Sequence, residues 1–79
     1  MPEFTLYFTL GCHLCELAEA ELLPWVAAGN IEVILQDIAE DILLVELYGV
    51  RIPVLQNCAT LAELNWPFGH DELRLFLPA

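Results

Sequence analysis

Apolar residues along this chain fall into short blocks whose spacing changes from one block to the next. Phe4-Thr5-Leu6-Tyr7-Phe8-Thr9 is aromatic and β-branched, apolar at both parities, and ends at Gly11. That pattern predicts a strand covered on both faces. The spacing then lengthens: Leu14, Leu17, Ala18, Leu22 and Trp25 recur at helical intervals, with Glu16, Glu19 and Glu21 on a wetter side. Gly29-Asn30 offers a stop, and Pro24 predicts a kink or an end to the regular helix near Leu23. Ile31-Glu32-Val33-Ile34-Leu35 reads as a second strand. Helical spacing returns between Asp41 and Tyr48, with Asp41 as N-cap and Gly49 as C-cap.

Arg51-Ile52-Pro53-Val54-Leu55 predicts a third strand. Pro53 must stand at its start or at an edge, because it has no N–H to give to a ladder. Gln56-Asn57-Cys58 reads as a turn, Ala59 to Leu64 as a fourth strand, and Asn65 to His70 as a loop. Asp71 to Leu77 closes the chain as a short helix, capped by Asp71 and stopped by Pro78. The order is therefore βαβαββα. Its first half is a βαβ unit with parallel strands and a right-handed crossover. Its second half holds a hairpin, which is antiparallel. The economical architecture is α/β: a mixed four-stranded sheet flanked by helices, in one domain spanning 1–79.

Composition sharpens this picture in two ways. Hydrophobic residues make up 58% of the 79, enough for so short a chain to hold a core. Twelve acidic residues face only Arg51 and Arg74, for a net charge of −10. That sign speaks against nucleic acid and anionic membranes as partners. Met1-Pro2-Glu3 has no basic leader, and no apolar run approaches the ~18 residues of a membrane helix. A cytoplasmic location is expected, where permanent disulfides are rare. Three cysteines, an odd number, also fit poorly with a stapled scaffold.

The candidate chemistry lies in Gly11-Cys12-His13-Leu14-Cys15. Cys12 falls where the first strand gives way to the first helix, among the free N–H groups and the positive dipole end that favour an anion. Such positions lower a cysteine pKa from about 8.5 into roughly the 3.5–7.5 range, and the thiolate is the attacking form. Cys15 lies one turn on, close enough to pair with Cys12 and better shielded. A protonated His13 would favour a thiolate at Cys12, and Glu16 disfavours one at Cys15. Cys12 is therefore expected to attack and Cys15 to resolve. Zinc needs four ligands, and only Cys58, His13 and His70 remain, at no ligand-like spacing. Cys58 reads as an incidental free thiol, Trp25 as core and His70 as a surface loop residue.

With these residues in view, the chain resembles the glutaredoxin-like proteins of the thioredoxin superfamily. The likeness rests on Gly11-Cys12-His13-Leu14-Cys15 after the first strand, Arg51-Ile52-Pro53-Val54 before the third, and Trp66-Pro67-Phe68-Gly69-His70-Asp71 before the last helix. It covers essentially the whole chain, and "GCHLCE…YGVRIPVL…WPF" is similar to a small bacterial group of such proteins. The resemblance implies a thioredoxin-like fold and thiol–disulfide exchange, with Cys12 as nucleophile and Cys15 as resolving thiol. It implies a cis Ile52-Pro53 bond beside the sulfurs, leaving the Ile52 backbone open to an extended thiol substrate. Gly11, His13, Arg51, Ile52, Pro53, Phe68 and Asp71 are the implied substrate-binding residues.

Two family features are missing. Thr9 and Leu10 stand where a basic residue usually precedes the first cysteine, and Pro67-Phe68-Gly69-His70-Asp71 replaces the usual double-glycine turn. Arg51 is the one cation placed to meet a glutathione carboxylate, and Asp71 is left to receive the amino group. The expected partners are protein or small-molecule disulfides, with glutathione as a possible electron donor, no built-in cofactor and a monomeric protein. Two rivals remain open: a non-catalytic binding module, and a metal carrier using Cys12 and Cys15.

Overall fold

The structure, a computed structural model, describes residues 1–78. Its elements are β1 (Glu3–Phe8), α1 (His13–Ala27), β2 (Glu32–Asp37), a 3-10 turn (Ile38–Glu40), α2 (Ile42–Tyr48), β3 (Val54–Asn57), β4 (Glu63–Asn65) and α3 (His70–Phe76). The strands form one mixed sheet in the order β2-β1-β3-β4. β1 runs parallel to β2, from Glu3 opposite Glu32 to Phe8 opposite Asp37. β3 lies antiparallel to β1, pairing Leu6 with Leu55 and Tyr7 with Val54, and β4 is antiparallel to β3. This is the flanked α/β sheet that the hydrophobic pattern predicts.

The two-residue period of β1 divides the interior. Phe4 and Leu6 point to one face and join Ala18 and Leu22 of α1, Leu55 of β3, and Ile31, Phe68, Leu73 and Leu77 in the main core. Tyr7 points to the other face, where Val54, Ile38 and Tyr48 form a smaller cluster under α2. Each fully buried aliphatic or aromatic side chain contributes about 1.5–3 kcal/mol. The central strand therefore reads as apolar at both parities because both faces are covered.

Several boundaries differ from expectation, each for a local reason. α1 continues through Pro24 to Ala27. Pro24 is exposed in the last turns, and its carbonyl still accepts the Ala28 N–H at 3.0 Å. Its own nitrogen has no N–H to donate, so the ladder loses that bond there. The buried stripe of α1 is Cys15, Ala18 and Leu22, so Leu14 and Leu17 lie on the exposed side. β3 begins after Pro53 and takes in Gln56 and Asn57, which had read as a turn. The turn lies further on, where Asn57 Oδ1 accepts the N–H groups of Ala59 and Thr60 at 2.8 and 3.1 Å. β4 is accordingly shorter than predicted. Asp41 caps α2, accepting the Leu43 N–H at 2.9 Å.

Asp71 does not cap α3. The N-cap is Gly69, whose N–H is accepted by Glu72 Oε1 at 2.7 Å. His70 is the first residue of that helix rather than a loop residue, and it stacks on Trp25 with ring centroids 5.6 Å apart. Trp25 is only partly buried against the core.

Candidate functional site

β1 ends at Phe8, and Thr9-Leu10-Gly11 turns the chain into α1. Gly11 has φ +79°, in the left-handed region that costs other residues about 1–2 kcal/mol. The loop is tied to the neighbouring strand by Thr9 Oγ1, which donates to Asp37 Oδ1 at 3.1 Å. The same carboxylate oxygen accepts the Ala39 N–H at 2.9 Å, so one side chain steadies both the loop and the end of β2.

Cys12 is the N-cap of α1, in extended conformation, with its sulfur accepting the Cys15 N–H at 3.1 Å. One of the free N–H groups of the first turn is therefore aimed at sulfur rather than at an oxygen cap. Cys12 and Cys15 are joined as a disulfide, with Cα atoms 5.2 Å apart. Their surroundings differ: Cys12 is half-buried at the mouth, whereas Cys15 is 3% exposed beneath it. Phe8, Thr9, Leu10, Gly11, Glu16 and Glu19 complete a cavity of about 240 Å³ around the pair. His13 is exposed, and its Nδ1 lies 4.0 Å from Glu16 Oε2. So open an ion pair contributes little.

The Ile52–Pro53 bond is cis, as is Trp66–Pro67. Pro53 is buried immediately before β3, and the pairing of Tyr7 with Val54 puts it at the same end of the sheet as the Cys12 loop. Thus Gly11, Cys12, His13 and Cys15 converge at one strand–helix junction, with Ile52 and Pro53 at that end of the sheet. Phe68, one of the implied substrate-binding residues, is not exposed at the site. It lies 3% exposed in the main core, edge-on to Trp66 with centroids 5.1 Å apart. Asp71 sits exposed in the first turn of α3.

Arg51 is already engaged. Its Nη2 donates to Glu63 Oε1 at 2.6 Å and to Asn65 Oδ1 at 3.2 Å, and the guanidinium lies 5.1 Å from the Tyr48 ring centroid. Tyr48 donates its hydroxyl to Glu63 Oε2 at 2.7 Å and stacks on Tyr7 at 4.2 Å, while the Tyr7 hydroxyl donates to Gln56 Oε1 at 2.9 Å. Burial, reinforced by Glu63, pushes the Tyr48 phenol well above its ordinary value. The Tyr48 hydroxyl and then Arg51 hold the Glu63 carboxyl below its ordinary value. Sequence reasoning missed this network because Tyr48, Arg51 and Glu63 meet only through the β3–β4 hairpin. The one available signal was the scarcity of cations in so acidic a chain.

Cys58 is exposed in the turn after β3, with its sulfur 3.3 Å from Thr5 Oγ1. Asn57 pairs with Phe4, which puts Cys58 at the opposite end of the sheet from Cys12. Among the described residues, no three His, Cys, Asp or Glu side chains gather to hold a metal ion. No described helix is long and apolar enough to cross a membrane.

Comparison with known proteins bears on this geometry directly. Residues 3–78 match the glutaredoxin-like domain (DUF836). No curated protein matches. The crystal structure of the structural-genomics target XcR50 from X. campestris is similar at 37% identity, covering 92% of each chain with a TM-score of 0.74. Its solution structure has 36% identity and a TM-score of 0.78, covering 96% of this chain and 91% of that one. Protein Ne2328 from Nitrosomonas europaea is similar at 30% identity and TM-score 0.72, covering 98% of this chain and 92% of its own. The matched span holds both sulfurs, Pro53 and the whole sheet, and so the chain belongs to the glutaredoxin-like domain family of the thioredoxin superfamily.

Proposed function

We propose that this protein is a thiol–disulfide oxidoreductase in which Cys12 attacks and Cys15 resolves. The observation that carries the reading is the asymmetry of the pair: a half-exposed N-cap sulfur receiving an N–H, over a buried partner one turn on. In the reduced protein, the Cys12 thiolate attacks one sulfur of a substrate disulfide. The Cys12–S bond forms, the substrate S–S bond breaks, and the departing thiolate takes a proton from water. Cys15, giving up its proton to solvent, then attacks Cys12 sulfur and releases the second substrate thiol. The substrate gains two electrons, and the protein is left with the Cys12–Cys15 disulfide.

A thiol donor restores the dithiol by the same exchange in reverse. The pairing of Arg51 with Glu63 and Asn65 favours a dithiol donor over glutathione, whose carboxylates would have to displace Glu63. The net charge of −10 works in the same direction, repelling an anionic tripeptide. Disulfide-bearing proteins or small molecules are the substrates, the location is cytoplasmic and the working unit is a monomer.

The test is a Cys15→Ser variant mixed with a disulfide substrate. It should accumulate a mixed disulfide at Cys12, resolved by mass spectrometry, while the reduced wild-type protein completes one turnover. Failure of the wild-type protein to reduce any disulfide, with a dithiol donor present, would sink the reading.

A further inference from the structure

The cavity around the sulfur pair does not end at α1. Glu16 and Glu19 also line a second groove of about 440 Å³, with Leu6, Ala20, Leu22, Leu23, Val26, Val33 and Leu35. That volume falls within the range of about 300–1,000 Å³ typical of ligand sites. The groove runs between α1 and β2, and its floor is the buried face of Leu6 and Leu22. Its walls are left open to solvent, with Leu23 63% and Leu35 49% exposed. Leu6 pairs with Leu35 and Phe4 with Val33, so these side chains share one face of the sheet. Among the described residues β2 is an edge strand, with β1 on one side of its backbone and no strand on the other.

Charge selects the occupant. Among the described residues, the titratable groups lining the groove are the two glutamates at its junction with the sulfur cavity. Neither arginine lines it, and Arg51 is held by Glu63. An anionic ligand is repelled here, whereas a cationic group meets two exposed carboxylates on the rim. Extended polypeptide suits the free strand edge, since it can pair with β2 while alternate side chains enter the groove.

We infer that this groove selects the protein's disulfide substrate: an extended polypeptide segment that places apolar side chains between α1 and β2 and a basic residue against Glu16 and Glu19, so presenting its disulfide to Cys12. This rests on the proposed exchange reaction and names its substrate class. The chemistry is unchanged: Cys12 and Cys15 supply the two electrons, and the peptide leaves as a dithiol.

The experiment uses the reduced full chain and three probes: a disulfide-bonded peptide with leucines and lysines flanking its cysteines, the same peptide with glutamates for lysines, and hydroxyethyl disulfide. At low salt the basic peptide should be reduced at least about tenfold faster than the acidic one, a factor that shrinks as salt is added. A Leu23→Ser, Leu35→Ser double variant should lower the ratio of the basic-peptide rate to the hydroxyethyl disulfide rate by about tenfold. Both leucines are largely outside the core, and a circular dichroism melt checks that the variant is folded. In a second measurement, the oxidised protein should bind a labelled basic peptide carrying serines for cysteines, and the double variant should bind it more weakly. Equal rates for the two peptides, or a ratio untouched in the folded double variant, would overturn the groove assignment while leaving the exchange reaction standing. Failure to reduce hydroxyethyl disulfide and both peptides would overturn the exchange reaction, and the groove assignment with it.

Discussion

Replacing Glu63 by Gln tests the strut that holds Arg51 beside Pro53. In the native protein the carboxylate accepts from the Tyr48 hydroxyl at 2.7 Å and from Arg51 at 2.6 Å. The amide keeps an acceptor oxygen and loses the charge. A hydrogen bond to a charged group is worth about 1.5–3 kcal/mol against about 1 for a neutral one, so roughly 1 kcal/mol is lost at Tyr48. The ion pair is partly open, with the arginine side chain 38% and the glutamate 25% exposed, so it is taken at the surface value of about 0.5 kcal/mol. The sum, about 1.5 kcal/mol, corresponds to a fall in Tm of about 6–12 °C for a domain of this size.

The effect carries a pH signature. Glu63 is held below its ordinary value of 4.5, so below that value the unfolded chain binds more protons than the folded one. The stabilisation is complete above 4.5 and is lost as pH falls through the lower folded value. Thermal melts followed by circular dichroism should show the full gap between native and variant protein at pH 7, narrowing towards pH 3. The variant also removes the negative charge that pairs with Arg51, so glutathione-driven turnover should rise relative to turnover with a dithiol donor. A gap absent at pH 7, or as wide at pH 3, would refute the electrostatic reasoning.

Other outcomes follow from the same geometry. Tyr48 is held protonated above its ordinary 10.0, so its contribution is complete below pH 10.0 and is lost as pH rises through the higher folded value. Alkaline melts should therefore show the native protein losing stability relative to Tyr48→Phe. Gly11→Ala should cost about 1–2 kcal/mol, seen as a lower Tm, because φ is +79° although no heavy atom lies within 4 Å of the new methyl. A cost near zero would mean that the loop relaxes. In the reduced protein, iodoacetamide mapped by peptide mass should modify Cys12 before Cys15, since only Cys12 combines exposure with an N–H aimed at its sulfur. Equal labelling would contradict the assigned order of attack.

Much of the frame was legible in the residues themselves. The two-sided apolar block at Phe4–Thr9 marked the central strand, because only a strand covered on both faces is apolar at both parities. Cysteines three apart at a strand-to-helix change marked the start of the helix, because local chain geometry alone puts one at the helix end and the other a turn on. Asp41 as a cap and Pro53 as a strand boundary were similarly local, each following from which N–H groups a residue can satisfy or lacks. Caps set by competition were less legible: Asp71 looked suitable for α3, yet Gly69 took the place once Glu72 reached back to its N–H.

The rest was decided by contacts between residues distant along the chain. Pro24 should end a helix by its own chemistry, but Leu22 and Trp25 on either side of it pack against the core and carry α1 onward. Phe68 could be told from a substrate contact only once it had packed with Leu73 and Leu77 in the main core. Arg51 looked free for an anion until the β3–β4 hairpin delivered Glu63 and Asn65 to it. The groove beside α1 depends on β2 being an edge strand, a property of strand order rather than of any segment. Local spacing determined which elements form and where the sulfurs stand, since those depend on nearest neighbours along the backbone. Which charges are spent and which surfaces stay open was settled only when packing chose the neighbours in space.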